Sequence, residues 1–161
     1  MNPKPMSFKD RHREMQEMVR ELLLLRNHNL QFKEGDPQDK MLLIAEGALA
    51  ALAMERFIRI VLGNLATDED TLYNLLEKAV SRKLVRVPFE DQAEGIKKIC
   101  RVRNTLLHAN YEQAAQQTEC GSAREYLKEV YAAEVESMTG ILDAMMQQVD
   151  VSTGRPKIEA E

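Results

Sequence analysis

Residues 41–62 read MLLIAEGALAALAMERFIRIVL, a proline-free run in which apolar side chains recur at helical spacing. On a helix, its apolar positions cover nearly the whole circumference: Met41, Leu42, Ile44, Ala45, Ala48, Leu49, Leu52, Phe57, Ile60 and Val61. A helix that is apolar on most sides belongs in the middle of a bundle. Small residues such as Gly47 would allow neighbouring helices to approach closely. We therefore predict a central helix over residues 38–62, ended by Gly63 and Asn64.

Four further helices are predicted around the central one. The first covers residues 8–31 with Ser7 as its N-cap, and the third opens with a capping pattern at Thr67. The fourth covers residues 90–108 and the fifth residues 122–149, joined by a polar loop over 109–121. Residues 83–88 form a connection with extended character. The predicted fold is all-α, a single up-and-down bundle of about five helices over residues 1–149, with 150–161 as a flexible C-terminal tail.

Composition excludes several classes of protein. With 161 residues, 44% hydrophobic and 30% charged, the chain is predicted to be one globular domain. It has no apolar run of the roughly 18 to 20 residues that a membrane helix needs, and residues 1–15 have no apolar core, so no secretory signal is expected. Cys100 and Cys120 lack metal-ligand spacing, and reduced thiols in a cytoplasmic protein are expected. The histidines also lack ligand spacing and no Gly-rich phosphate loop occurs, so no metal or other cofactor is expected.

Charge is unevenly distributed along the chain. Residues 78–103 contain eight basic and three acidic residues, which gives +5, whereas the net charge of −4 leaves −9 for the rest. A local basic segment on an acidic protein suits a confined polyanion site. An ordinary solvated helix face explains the same charges.

The fourth predicted helix separates into two faces. Its apolar arc contains Ile96, Ile99, Cys100, Val102, Leu106 and Leu107. A polar stripe contains Lys97, Arg101, Asn104 and His108. Arg103 falls inside the apolar arc, about 140° from His108 around the helix axis.

An arginine in an apolar arc needs a partner or water, since desolvating its charge costs several kcal/mol. One explanation is a carboxylate from the central helix, with Glu46 and Glu55 as candidates, and such a pair can serve the fold alone. The other is that the arc meets a second subunit and Arg103 lines a wet cleft there. Glu55 can equally pair with Arg59, one helical turn later.

The sequence RNTLLHANYE at 103–112 resembles the signature of the HEPN superfamily (higher eukaryotes and prokaryotes nucleotide-binding domains). In that signature an arginine, often followed by a polar residue, precedes a histidine by a few positions. Arg103, Asn104 and His108 match these three positions. The order of elements is similar too, with the motif ending the fourth helix after a long apolar helix that contains AMERF at 53–57. The resemblance covers roughly residues 8–149.

The resemblance implies a metal-independent endoribonuclease that acts as a homodimer, with both copies of the motif facing one cleft. RNA cleavage would follow attack of a 2′-hydroxyl on the adjacent phosphorus. Catalytic roles would fall to His108 as general acid or base, Arg103 as the group that stabilises phosphoryl charge, and Asn104 as an orienting residue. Glu55 is a candidate carboxylate for orienting Arg103.

RNA contacts are expected from three further residues. Lys97 and Arg101 would guide the backbone, and Tyr111 would stack on a base, although a loop or core tyrosine explains Tyr111 as well. Many members of the family are toxins or defence effectors, so an antitoxin is a candidate partner. Others have lost activity, which keeps a non-catalytic helical module that binds a protein or nucleotide as the alternative. A plain helical dimerisation protein is a third possibility.

Overall fold

The computed structural model describes residues 7–31, 37–107, 116, 120–122 and 126–150. These residues contain five α-helices and no strand: α1 (Phe8–Gln31), α2 (Pro37–Leu62), α3 (Leu72–Ser81), α4 (Gln92–Leu107) and α5 (Ala132–Met146). A 3₁₀ turn, Gly63–Leu65, follows α2, and a π-helical turn, Leu127–Tyr131, precedes α5. The predicted all-α bundle of about five helices is confirmed.

Helix α2 occupies the centre of the bundle, as its apolar circumference predicts. It packs against α1, α3, α4 and α5. Met54 and Ile58, one turn apart, are fully buried. However, α2 is not covered on every side, because Met41 is 73% exposed and Leu52 is 46% exposed. An apolar stripe of this helix therefore faces solvent.

The start of α1 follows the sequence closely. The Ser7 hydroxyl accepts a hydrogen bond from the Asp10 backbone N–H at 3.2 Å, and the Ser7 carbonyl accepts one from the Arg11 N–H at 3.0 Å. The Ser7 side chain thus binds the Asp10 N–H, a first-turn donor that has no partner within the helix, while the Ser7 carbonyl accepts the first bond of the helix itself. The Glu14 carboxylate then joins α1 to α2 through an ion pair with Arg56 at 2.7 Å.

The start of α3 differs from the prediction. Thr71, not Thr67, is the N-cap, and its side chain accepts from the Asn74 N–H at 3.3 Å. Thr67 belongs to a preceding turn in which its N–H donates to the Asp70 carboxylate at 2.8 Å. That carboxylate also accepts from the Lys78 ammonium at 2.7 Å. These two contacts fix Asp70 in the turn Thr67–Asp70, and helix α3 begins only after this turn, at Leu72.

The connection between α3 and α4 lies extended along the bundle. Val85 and Val87 are buried while Arg86 between them is exposed, the alternation that an extended backbone produces. The Gln148 side-chain amide donates to the Arg86 carbonyl at 2.7 Å and accepts from the Arg86 N–H at 2.8 Å. Gln92 bonds the N–H and carbonyl of Val87 in the same manner, at 2.9 and 2.8 Å. The side chains of Gln92 and Gln148 thus bind the backbone groups that a neighbouring strand would bind in a sheet.

The fifth helix is shorter than predicted at its C-terminal end, where α5 stops at Met146 and a turn carries the chain to the buried Val149. Most of the predicted 109–121 loop and the predicted tail beyond Asp150 lie outside the described residues. Among the helices that are described, none combines the length and apolar character needed to cross a membrane.

Candidate functional site at the end of helix α4

The two faces of α4 largely follow the predicted division, except that Leu107, predicted in the apolar arc, is exposed and Cys100 is only partly buried. One face is buried and contains Gly95, Ile96, Ile99, Val102 and Leu106. The opposite face is exposed and carries Lys97, Lys98, Arg101 and Asn104. The residues expected to contact RNA on this helix therefore reach solvent.

Arg103 lies at the edge of the buried face and is partly exposed. Its Nη1 donates a hydrogen bond to the Asn104 side-chain oxygen at 3.0 Å. By helix geometry Arg103 is roughly 50° from the centre of the buried arc, close to Leu107, which is 46% exposed. At that edge the guanidinium reaches water, so it does not need a buried counter-ion.

Neither candidate carboxylate pairs with Arg103. Glu55 forms an ion pair with Arg59 at 3.3 Å, the alternative that its spacing also allows. Glu46 is buried, with only 3% of its surface exposed, and is not bonded to Arg103. Within the part of the chain that the structure describes, Arg103 makes no ion pair. The interpretation of Arg103 as one half of a structural ion pair therefore finds no support there.

Cys100 lies about one helical turn before Arg103, and its thiol interacts electrostatically with the guanidinium. Burial raises the pKa of the Cys100 thiol above its ordinary value, and the positive charge of Arg103 opposes that rise. The raised pKa disfavours the thiolate, which is the form in which a cysteine acts as a nucleophile.

The exposed cations beside Arg103 differ in their surroundings. The Lys97 ammonium is 3.3 Å from the Glu94 carboxylate, in an exposed pair one turn apart. Lys98 lies over the ring of Phe89, 5.2 Å from its centroid. Arg101 is exposed and forms no ion pair with a described residue. Lys97 therefore has a carboxylate beside it, whereas Lys98 and Arg101 form no ion pair with a described residue.

Tyr131 fixes the end of α4 and was not identified from the sequence. It is fully buried, and its hydroxyl lies 2.8 Å from the Leu106 carbonyl oxygen and 3.3 Å from that of Ile44. Leu106 is in the last turn of α4, where carbonyl groups lack partners within the helix. The sequence shows Tyr131 only as an apolar repeat position, although a buried tyrosine hydroxyl usually has a hydrogen-bond partner.

Close packing at Gly47 makes the Tyr131 contact possible. A Cβ atom at Gly47 would lie 2.7 Å from Cζ of the tyrosine ring, closer than carbon atoms approach. The small residues predicted to admit a near neighbour therefore do so at Gly47. Together α2, α4 and the π-helical turn Leu127–Tyr131 meet at the end of α4 that carries Arg103.

The structure therefore brings Arg103 and Asn104 into contact and places Arg101 and Lys97 on the neighbouring exposed face. Helix α4 ends at Leu107, and both His108 and Tyr111 lie outside the described residues. Their expected roles rest on the sequence. Comparison of the chain with models of protein families, with curated proteins and with solved structures found no match.

Proposed function

We propose that the chain is a metal-independent endoribonuclease of the HEPN type. One observation carries this proposal: Arg103 reaches solvent at the end of α4 without an ion-pair partner among the described residues, and Asn104 holds its side chain. An uncompensated guanidinium that is oriented by a neighbour can bind a phosphate through two parallel hydrogen bonds. In the sequence, His108 follows directly after the last residue of α4.

The proposed reaction needs two proton transfers and charge stabilisation. The 2′-hydroxyl oxygen of RNA attacks the adjacent phosphorus and loses its proton to a base, while the bond from phosphorus to the 5′-oxygen breaks and that oxygen takes a proton from an acid. The products are a 2′,3′-cyclic phosphate and a 5′-hydroxyl. His108 is suited to these proton transfers because imidazole titrates near neutral pH. Arg103 would stabilise the negative charge that grows on the phosphoryl oxygens.

A homodimer would supply the second acid–base group. Two copies of His108 facing one cleft can act as base and acid in the same turnover, and Leu107, exposed beside Arg103, is available to contact a second subunit. Sedimentation of the purified protein at the concentration used for assay should show a dimer.

RNA cleavage by purified protein in EDTA tests the proposal directly. Wild type should release products that end in 2′,3′-cyclic phosphate. His108→Ala and Arg103→Ala should each lower the rate by roughly 10² to 10⁴, typical of lost acid–base or oxyanion-stabilising groups. Arg20→Ala, an exposed arginine on α1, should leave the rate unchanged. Cleavage that survives His108→Ala, or that requires a divalent ion, would rule out the mechanism.

The biological role that fits such an activity is a toxin or defence effector held in check by an antitoxin. Expression of wild type in a bacterial host should then arrest growth, and expression of His108→Ala should not. Equal growth of the two strains would remove the toxin role and leave the enzymatic proposal intact.

A non-catalytic partner-binding module is the second candidate, and one surface favours it. Leu24 is 63% exposed on α1, and it lines a groove with Leu25 of α1 and Leu49 of α2. Exposed apolar side chains that line a groove are typical of contact surfaces for other proteins. If wild type and His108→Ala are equally inert towards RNA, this function becomes the better one.

A further inference from the structure

We propose that the connection between α3 and α4, together with the exposed face of α4, binds the phosphate backbone of single-stranded RNA as it leaves the Arg103 end of the helix. This surface, called the basic surface below, consists of Arg82, Lys83, Arg86, Lys98 and Arg101. It rests on the proposed function, since it extends the substrate path of that same site.

The first observation is the way in which cations are paired across the molecule. On α1 and α2, four arginines form ion pairs, namely Arg13, Arg26, Arg56 and Arg59, whereas the exposed Lys9 and Arg20 of α1 form none with a described residue. No residue of the basic surface forms an ion pair with any residue in 7–31, 37–107 or 126–150, although all five are exposed. Their charge is therefore available to a ligand from outside the chain.

The backbone of Lys83 provides the second observation. It has φ 58°, the only positive φ found at a residue other than glycine in the described chain. The Lys83 and Leu84 N–H groups bond the Val80 and Ala79 carbonyls, each at 3.0 Å, which is the helix-ending arrangement that usually places glycine at this position. A lysine here retains backbone strain, and no residue of the described chain forms an ion pair with its ammonium. Glycine would avoid this strain, so we infer that lysine is present because its ammonium binds a ligand.

The third observation is that the connection is held firmly in one place. Gln148 bonds both backbone groups of Arg86, and Val85 and Val87 are buried on either side, so the Arg86 side chain is directed outward. Phe89 and Val87 pack on Gly95 so closely that a Cβ there would lie 2.7 Å from both side chains. Cations held on an ordered backbone lose less freedom on binding than cations on a mobile loop.

The basic surface is continuous with the candidate active site. Lys98 lies over Phe89 at the end of the connection, at 5.2 Å from the ring centroid. Arg101 and then Asn104 follow Lys98 at steps of about 60° around α4 and about 4.5 Å along it. Asn104 is bonded to Arg103 at 3.0 Å. A strand whose phosphate contacts Arg103 would thus pass Arg101 and Lys98 before it reaches Arg86.

Overall charge favours RNA binding at this segment. Residues 78–103 carry +5 while the rest of the chain sums to −9, so this segment attracts a polyanion more strongly than the remaining chain does on average. A few fixed cations with one aromatic ring suit a short single strand, whose backbone can follow the surface.

The test measures binding and not cleavage, so that it stays separate from the proposed enzymatic activity. Fluorescence anisotropy would follow a labelled 2′-O-methyl oligonucleotide, which has no free 2′-hydroxyl and cannot be cleaved. The triple variant Arg82→Gln, Lys83→Gln, Arg86→Gln should bind at least about tenfold more weakly at low salt. The slope of log K against log salt should fall by about 2, as expected when three single-strand phosphate contacts are lost.

The matched control removes three positive charges elsewhere. Lys9→Gln, Arg13→Gln, Arg20→Gln lie on exposed positions of α1 and give the same net charge as the first variant. Affinity and salt slope should stay at the wild-type values. Equal losses in the two triple variants, or no loss in the first, would overturn the basic surface.

Two further outcomes separate the proposals. If wild type cleaves RNA and the first triple variant binds the oligonucleotide normally, the basic surface is wrong and the enzyme stands. If His108→Ala has no effect on RNA while the first triple variant loses binding, the enzymatic proposal fails and the basic surface stands. Binding to anionic phospholipid vesicles without binding to the oligonucleotide would assign the surface to a membrane and overturn the inference.

Discussion

The Tyr131 hydroxyl lies 2.8 Å from the carbonyl oxygen of Leu106, and this contact ties the last turn of α4 to the π-helical turn before α5. Leu106 is buried and its neighbour Leu107 is exposed, so the bond lies directly beneath the surface that carries Arg103. The buried contact between Tyr131 and Leu106 therefore helps to fix the backbone that carries Arg103.

Removing the Tyr131 hydroxyl should lower the free energy of unfolding and loosen the end of α4 that carries Arg103. Tyr131→Phe keeps the ring against Gly47 but leaves the Leu106 carbonyl buried without this bond, which should cost about 1 to 2 kcal/mol in urea unfolding. Tyr73→Phe, at a tyrosine that is 40% exposed, should change the unfolding free energy by less than about 0.5 kcal/mol. An unaltered midpoint for Tyr131→Phe would show that the bond contributes nothing.

Two glycine substitutions should act in opposite directions. Gly47→Ala forces a methyl group against the Tyr131 ring and should destabilise the fold by about 1 to 3 kcal/mol. Gly140→Ala, in an exposed position of α5 with nothing within 4 Å of the added carbon, should stabilise it by about 0.5 to 1 kcal/mol. Thermal unfolding of both variants checks the pair, and a stabilised Gly47→Ala would contradict the close packing.

The contribution of Asp70 to stability should depend on pH. Its hydrogen bond from Lys78 holds the pKa of the Asp70 carboxyl below its ordinary value, so the ionised form is favoured in the folded state. The resulting stability is present above the unfolded pKa of about 3.9 and is lost as pH falls through the lower folded value. Lys78→Met should therefore be less stable than wild type at neutral pH, and the difference should shrink below about pH 4.

A matched variant gives the comparison for that prediction. Lys97→Met removes an exposed pair with Glu94 and should change stability little at any pH, because exposed ion pairs contribute little. A gap between Lys78→Met and wild type that persists undiminished in acid would count against the Asp70 mechanism.

The reactivity of Cys100 should report the position of Arg103. Because Arg103 opposes the burial that raises the pKa of the Cys100 thiol, Arg103→Gln should raise this pKa further. Alkylation by iodoacetamide in a Cys120→Ser background should then slow by roughly twofold or more at mildly alkaline pH. Arg101→Gln, on the other face of α4, should leave the alkylation rate unchanged. A faster rate in Arg103→Gln would place the guanidinium elsewhere.

Lys83 should show a conflict between stability and binding. Lys83→Gly relieves the positive φ and should raise the unfolding free energy by about 0.5 to 1 kcal/mol, whereas Lys83→Ala retains the strain and should not. Both variants lose the same charge and should bind the 2′-O-methyl oligonucleotide more weakly than wild type. Weaker binding by only one of the two would assign the effect to the backbone and not to the charge.

Much of the fold is predictable because it follows from local periodicity. The bounds of α1 and the central place of α2 come from helical spacing and from a cap at Ser7 that uses neighbours in sequence. The predicted start of α3 at Thr67 was wrong, because the N-cap is Thr71, a second threonine four residues later. The Lys78 ammonium, from within α3, binds the Asp70 carboxylate in the turn before the helix, a contact between side chains eight residues apart.

The site was less predictable, because its decisive contacts join distant residues or depend on a few degrees of rotation. The helical spacing predicts Arg103 inside the apolar arc, whereas the structure shows it partly exposed at the edge of the buried face, where it reaches water without Glu46 or Glu55. The Tyr131 hydroxyl contacts a backbone carbonyl. Because every residue has such a carbonyl, the sequence does not indicate which one is the partner. The bond between Arg86 and Gln148 spans 62 residues, beyond any local pattern.

The glutamine anchors at Arg86 and Val87 are uncharged, and this has a consequence for measurements in solution. Amide groups do not titrate, and their hydrogen bonds are not screened by dissolved ions as charge pairs are. Changing the electrolyte should therefore alter the attraction of the connection for phosphates without dislodging the connection itself. An ionic-strength titration would then count the phosphates that it engages and would not report its detachment.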